Sequence, residues 1–262
     1  MSTKWKTIIT IAAIAVIVAV AVVLINRPVE QATRPEPSEG TGMVAGKLGF
    51  PVSKINIGEG GTKTASDGKT ITGYNGTCDS AVQAAANYTH LIEDVNASTW
   101  AQQKKTLAEV GKPGAWTEKV TSKGDLLTTS KDLSGLSFDG GWLYRSDVAA
   151  GGLYRVASCE PKKAAVVQVF FGATSANVKA APSAFFQTAT FALVWDGDWK
   201  VSDAAIVANG QDFGGRVKDS GPMSVGTNMD DEASPVLRNE LVNSFFKDIT
   251  REGWVEYANA KR

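Results

Sequence analysis

The sequence predicts an α+β chain: an N-terminal transmembrane helix, helices packed on an antiparallel four-stranded sheet, and a C-terminal helix. Three observations predict it. An uncharged apolar run fills residues 7–25. Apolar residues then recur at helical spacing between positions 81 and 110. After Gly151-Gly152 the period falls to two, and Asp196-Gly197 supplies a hairpin turn between two of the alternating segments.

The apolar run holds 19 residues, which as a helix span roughly 28 Å, about the thickness of a bilayer's hydrocarbon core. A helix satisfies its own backbone hydrogen bonds, so such a run is stable in lipid. A cleaved signal peptide is the rival reading, and Ala19-Val20-Ala21 offers it a small-x-small site. The run continues past that site through Val22, Val23, Leu24 and Ile25, further than a signal sequence's apolar core usually extends. The expectation is therefore an uncleaved single-pass anchor in the cell membrane, with residues 1–6 as a cytoplasmic tail. Lys4 and Lys6 precede the run and Arg27 and Arg34 follow it, so charge asymmetry orients the chain only weakly.

The size of the C-terminal part and its two cysteines orient it better. Cys78 and Cys159 stand in no C-x-x-C or zinc-ligand spacing. Beyond a membrane anchor the compartment is oxidising, and a Cys78–Cys159 disulfide in an extracytoplasmic domain is expected. The alternative is a pair of buried free thiols in a cytosolic domain.

Residues 26–73 read as a flexible linker: Pro28, Pro35, Pro37 and Pro51 stand among many small polar residues, too little apolar surface to offset the chain entropy of ordering. The short patch Leu48-Gly49-Phe50-Pro51-Val52 is expected to dock on the domain. The folded domain spans residues 74–206. Asp79 is its first N-cap candidate, followed by the stripe Ala81, Val82, Ala85, Tyr88, Leu91, Ile92 and Val95. Ser98 caps a second helix carrying Trp100, Leu107 and Val110, which Gly111-Lys112-Pro113 stops. Residues 116–136 read as one loose helix with loops. Strands are expected over 153–159, 164–173, 185–195 and about 199–206, with Phe185, Ala189, Phe191, Leu193 and Trp195 on one side of the third.

Residues 207–262 read as a polar, glycine-rich loop and a helical extension. Ser234 and Pro235 open the helix, and Leu237, Leu241, Phe245 and Ile249 share its apolar face. Gly253 ends it, leaving Trp254 and Tyr257 on a short tail helix. The stripe is expected to cover the domain's own core, and contact with another copy in a homo-oligomer is the rival role.

Chemistry is sparse. Lys and Arg number 27 and Asp and Glu 27, so the formal net charge is zero, and no basic run exceeds two residues. Nothing supports nucleic-acid binding through released counterions. His90 is the one histidine and lies beside the first helix's apolar stripe, where a structural role is expected. Asp196 and Asp198 flank a turn, where such side chains bond nearby backbone. Asp230, Asp231 and Glu232 form an acidic run without calcium-loop spacing. Gly58-Glu59-Gly60-Gly61 lacks the Lys-Ser/Thr of a phosphate loop. The three Asn-x-Ser/Thr triplets, at Asn75, Asn87 and Asn96, matter only in a eukaryotic secretory pathway, and the alanine- and glycine-rich composition reads as bacterial. No cofactor and no metal are expected.

The order of these elements resembles a known family. The segment Phe185-Phe-Gln-Thr-Ala-Thr-Phe-Ala-Leu-Val-Trp-Asp-Gly-Asp-Trp-Lys-Val-Ser202 is similar to the final hairpin of the fold of nuclear transport factor 2. In that fold a strand ending in an aromatic residue turns through Asp/Gly into Trp-x-Val. Gly76-Thr-Cys-Asp-Ser-Ala-Val-Gln-Ala-Ala-Ala-Asn-Tyr88 resembles the opening helix of actinobacterial membrane proteins encoded with conjugation machinery. Tail, anchor, tether, helices and sheet together resemble the inner-membrane assembly factor of type IV secretion systems, the eighth VirB component, and its Gram-positive conjugation counterparts. The resemblance covers residues 74–206 and implies a curved sheet.

It also implies a non-enzymatic scaffold subunit of a conjugation or secretion channel, whose partners are the membrane and other channel subunits. The alternative is a cell-envelope binding module holding a small apolar ligand, lipid or peptide in the cone of the sheet. Phe170, Phe191, Trp195 and Trp199 are the candidates to line such a pocket or to pack the core. Enzymes of that fold normally place a His, Asp or Tyr in the cone, and no histidine falls on the predicted sheet.

Overall fold

A computed structural model describes residues 45–94, 99–122, 143–177, 180–206, 221–222 and 236–262. The predicted cytoplasmic tail and transmembrane helix lie outside the described residues, as do Ser234, Pro235 and the acidic run at 230–232. Among the described residues no helix is long and apolar enough to cross a membrane.

The described chain is a mixed α+β unit built on one large antiparallel sheet. A two-stranded ribbon comes first, β1 (Lys63–Thr64) with β2 (Ile71–Thr72). Three helices follow: α1 (Cys78–Glu93), α2 (Trp100–Val110) and α3 (Ala115–Ser122). Then come β3 (Leu143–Asp147), the one-turn α4 (Val148–Gly151), β4 (Leu153–Glu160), β5 (Ala164–Asn177), β6 (Ala180–Trp195) and β7 (Trp199–Ile206). The chain closes with α5 (Asn239–Phe245) and β8 (Trp254–Glu256). Sheet order is β7-β6-β5-β4-β8, and β3 pairs with β5 beyond the end of β4.

The four predicted strands are all present, but the sheet has six. Strand β5 is long enough to take two partners in succession: Leu153 faces Phe170 on β4, and Asp147 faces Gly172 on β3. Between those partners the chain makes the turn α4, capped by Asp147 and ended by Gly152 in the left-handed conformation (φ 64°). Gly151 is pressed onto β5, and a Cβ there would come within 2.4 Å of the Phe170 carbonyl oxygen. The glycine pair thus marks a close approach of backbone to sheet as well as a change of period.

Helix α1 begins two residues earlier than Asp79 suggests. Thr77 is its N-cap, accepting from Ser80 N at 3.2 Å, and Asp79 sits in the first turn. Its alanines 81, 84, 85 and 86 are all buried. Together with Tyr88 and Leu91 they form a core with Val167, Val169, Phe171, Ala189, Phe191 and Trp199 of the sheet. That core is the larger of two.

The second core lies on the opposite face of the sheet, where Leu153, Phe170 and Phe186 meet Leu48, Phe50, Leu237, Val242, Phe246 and Trp254. It corrects two boundaries. Residues 45–73 are not linker: Leu48, Phe50, Ile55, Ala65 and Thr70 are buried, and Val52 bridges Glu256 in parallel. The docking patch at 48–52 is an integral part of the domain. The tail at Trp254 is strand, not helix, because Arg155 on β4 pairs with Trp254 and Ser53 N donates to Glu256 O at 2.9 Å. Helix α5 is also shorter than its stripe, ending before Ile249.

Both ends of the main sheet path carry cover. Lys112 N donates to Val201 O at 2.8 Å and Trp116 Nε1 to Ala204 O at 3.3 Å, closing the outer edge of β7. The segment at Pro51 to Ser53 closes β8. Exposed edges of this kind otherwise invite pairing with other chains.

Candidate polar site at the C-terminal end of the first helix

The residues singled out by sequence sort onto different parts of the fold. Cys78 and Cys159 are joined by a disulfide, tying the first turn of α1 to β4. Neither is a nucleophile. Phe191 and Trp199 are fully buried in the larger core, whereas Phe170 is fully buried in the second. Alternation puts Phe170 and Phe191 on opposite faces of the sheet, so these residues do not line one cavity. Trp195 is half-buried and meets Trp199 edge-on at 5.4 Å across the hairpin. All four pack.

His90 Nε2 lies 3.1 Å from Thr70 Oγ1, which donates to Asp67 Oδ2 at 2.6 Å. Asp67 also accepts the Lys69 and Thr70 amides. Burial raises the Asp67 pKa, but the Thr70 hydroxyl, these amides and His90 outweigh it and lower the value. This chain pins the β1–β2 ribbon to α1, the structural role expected of His90. Asp198 likewise serves backbone, accepting Gly73 N at 2.7 Å and Tyr74 N at 2.9 Å. Asp196 pairs with Lys112 at the surface, 2.5 Å apart. Gly58, Glu59 and Gly61 border a shallow, open depression of about 360 Å³ beside Lys63 and Ile71. Among the described residues no group of three His, Cys, Asp or Glu side chains could hold a metal ion.

Chemistry concentrates where sequence reasoning did not look, at the far end of the helix-covered face. Helix α1 stops short of the ends of β5 and β6, leaving Ser175, Ser183 and Gln187 beyond the apolar packing, with Phe185 at its margin. Strand β3 brings Tyr144 opposite Ser175. Into this space α1 delivers its last residue, Glu93, and its C-cap, Asp94.

Glu93 is 5% exposed. Its Oε2 accepts a hydrogen bond from Gln187 Nε2, and its Oε1 is buried without a partner among the described residues. Asp94 Oδ1 accepts both Ser146 N at 2.7 Å and Ser146 Oγ at 2.6 Å. Tyr144 bonds Ser175, whose hydroxyl lies 2.8 Å from Ser183 Oγ, and the Tyr144 ring meets Phe185 edge-on at 5.4 Å.

Burial, and then the neighbouring Asp94 charge, push the Glu93 carboxyl well above the usual range, while the Gln187 bond opposes them. Burial also raises Asp94, against the Ser146 bonds and the charges of His90 and Arg145. Burial and the Glu93 charge raise the Tyr144 phenol. The result is an electron-rich corner: two carboxyl groups at the negative end of a helix, beside two aromatic rings. Glu93 there can donate a hydrogen bond as the neutral acid, or exchange its proton for a cation.

One signal for this site was available in the sequence. Gln187 falls between Phe185 and Ala189 on the apolar side of its strand, a polar residue aimed at a core. Tyr144 and Ser146 gave no such signal, because β3 follows a segment without clear period. No protein-family model, no curated protein and no solved structure matches this chain.

Proposed function

We propose that this chain is a membrane-anchored, non-enzymatic scaffold subunit of a conjugation or type IV secretion-like channel. It acts through protein–protein contacts of its extracytoplasmic domain. The observation that carries the reading is the filled helix-covered face. Tyr88, Phe171, Phe191 and Trp199 occupy it with at most 1% exposure each, as a domain built to present its outside requires. The anchor-length run at 7–25 and the Cys78–Cys159 disulfide support an oxidising, extracytoplasmic setting. Helices leading into a meander that ends in the Trp195–Trp199 hairpin support the likeness to the nuclear transport factor 2 fold.

With the β7 and β8 edges covered, partner contacts fall to helical surfaces such as the outer face of α2, where Ala101, Lys105 and Ala108 are exposed. Fold likeness alone does not assign a function, so the test is direct. Full-length protein is recovered from cross-linked native membranes and its partners identified by mass spectrometry. Recovery of a secretion-type ATPase and polytopic channel subunits is the expected result. Recovery of the protein alone, or only with itself, would overturn the assignment.

A further inference from the structure

We propose that Glu93, at the C-terminal end of α1, is the anionic anchor of a binding site for a primary ammonium group. The inference stands apart from the scaffold reading and survives its failure.

The first support is the unpartnered oxygen. Gln187 occupies Oε2, and Oε1 has no partner although the residue is 95% buried, from its 5% exposure. A buried carboxyl oxygen left without a hydrogen-bond partner is destabilising in either protonation state, and a partner arriving from outside relieves it. The second is the sign of the surroundings. Among the described residues, Asp94 acts on the Glu93 carboxyl and Glu93 in turn acts on the Tyr144 phenol, at the C-terminal end of α1; a negative neighbour and a helix C-terminus both favour a cation. Among the described residues, the cationic groups acting on the pair are His90 from α1 and Arg145 from β3, and both act on Asp94. Asp94 is further held by Ser146, whereas Glu93 Oε1 is not held.

The third support is access and size. Tyr144 and Ser146 on β3 and Ser183 and Phe185 on β6 are each only half-buried, so these strand ends reach solvent. A divalent metal lacks a third ligand among the described residues, while an ammonium brings three donors and needs only scattered oxygens. Binding is an exchange: the Glu93 carboxylic acid gives one proton to solvent, and the resulting carboxylate pairs with the ammonium. No other bond changes. The source is a free amine or the lysine side chain of a partner.

The test uses the full chain in detergent, with methylammonium chloride and Nα-acetyl-lysine methylamide as probes. Sodium chloride at equal ionic strength and tetramethylammonium, which has no N–H, are the controls. Methylammonium is expected to raise the thermal unfolding midpoint beyond either control, more strongly at pH 8 than at pH 5.5. About one proton should be released per ammonium bound in weak buffer. Glu93→Gln should weaken binding at least tenfold and abolish the proton release. A lysine probe binding better than methylammonium identifies a lysine side chain as the natural group, and the reverse identifies a free amine. Methylammonium acting no differently from sodium, or binding without proton release, or a response that persists in Glu93→Gln, would overturn the site.

Discussion

The indole Nε1 of Trp199 donates to Ser80 Oγ at 2.9 Å, joining β7 to the first turn of α1 across 119 residues. The same tryptophan's carbonyl accepts the Tyr88 hydroxyl at 3.0 Å, two turns further along the helix. Helix and sheet are therefore registered to each other by hydrogen bonds inside an apolar core, where alternatives that slide the helix leave these groups unmet. Trp199→Ala removes both the ring and its donor. A loss of about 3–5 kcal/mol in urea unfolding is expected. Trp199→Phe keeps most of the packing and frees Ser80 Oγ, which still donates to Thr77 O at 2.8 Å, so it should lose about 1–2 kcal/mol.

The Cys78–Cys159 disulfide fixes the same end of α1 to β4. It closes a separation of 81 residues, worth about 4.5 kcal/mol in the chain-entropy account. Reduction, or Cys78→Ala with Cys159→Ala, should lower the denaturation midpoint and steepen the denaturant dependence, because the unfolded chain without the cross-link exposes more surface. An unchanged midpoint after verified reduction would mean that the cross-link does not constrain the unfolded chain.

How far the fold was legible follows from which contacts are local. The stripe Ala81 to Leu91 and the Asp196-Gly197 turn are written within a few residues, and the corresponding helix and hairpin form as read. Trp254 was misread as helix, and the docking patch at Phe50 was assigned to a linker, for the opposite reason. Each takes its conformation from partners far along the chain: Val52, beside Phe50, bridges Glu256, and Trp254 pairs with Arg155. Proline and glycine around Phe50 look like a tether until the other strand is known. The polar site divides the same way: Gln187 interrupts a visible pattern, but Glu93 becomes unusual only when β3 and β6 enclose it.

Phe50 tests where the domain begins. It is 1% exposed, tilts against Phe246 at 5.1 Å and lies under the Arg251 guanidinium. Phe50→Ala should destabilise the domain by about 3–5 kcal/mol and make residues 45–53 an early site of limited proteolysis. A true linker residue would tolerate the change with no shift in stability.

Glu93 makes a prediction about pH. Burial raises its folded-state pKa above the unfolded value, so the folded chain holds this proton more tightly than the unfolded one. The stability linked to that proton is fully present below the ordinary glutamate range. It is lost as pH rises toward the folded-state value, where a buried charge must form or the fold must open. Asp94 is raised in the same direction and contributes with the same sign. Glu93→Gln keeps a neutral side chain of the same shape beside Gln187 at every pH. The variant should therefore match the parent near pH 4 and exceed it increasingly toward pH 8, flattening the stability profile between them. Thermal unfolding at unit pH intervals, without added amine, measures this. Parallel profiles for the two proteins would show that Glu93 carries no proton linkage, and that its buried oxygen is charged and paired in solution.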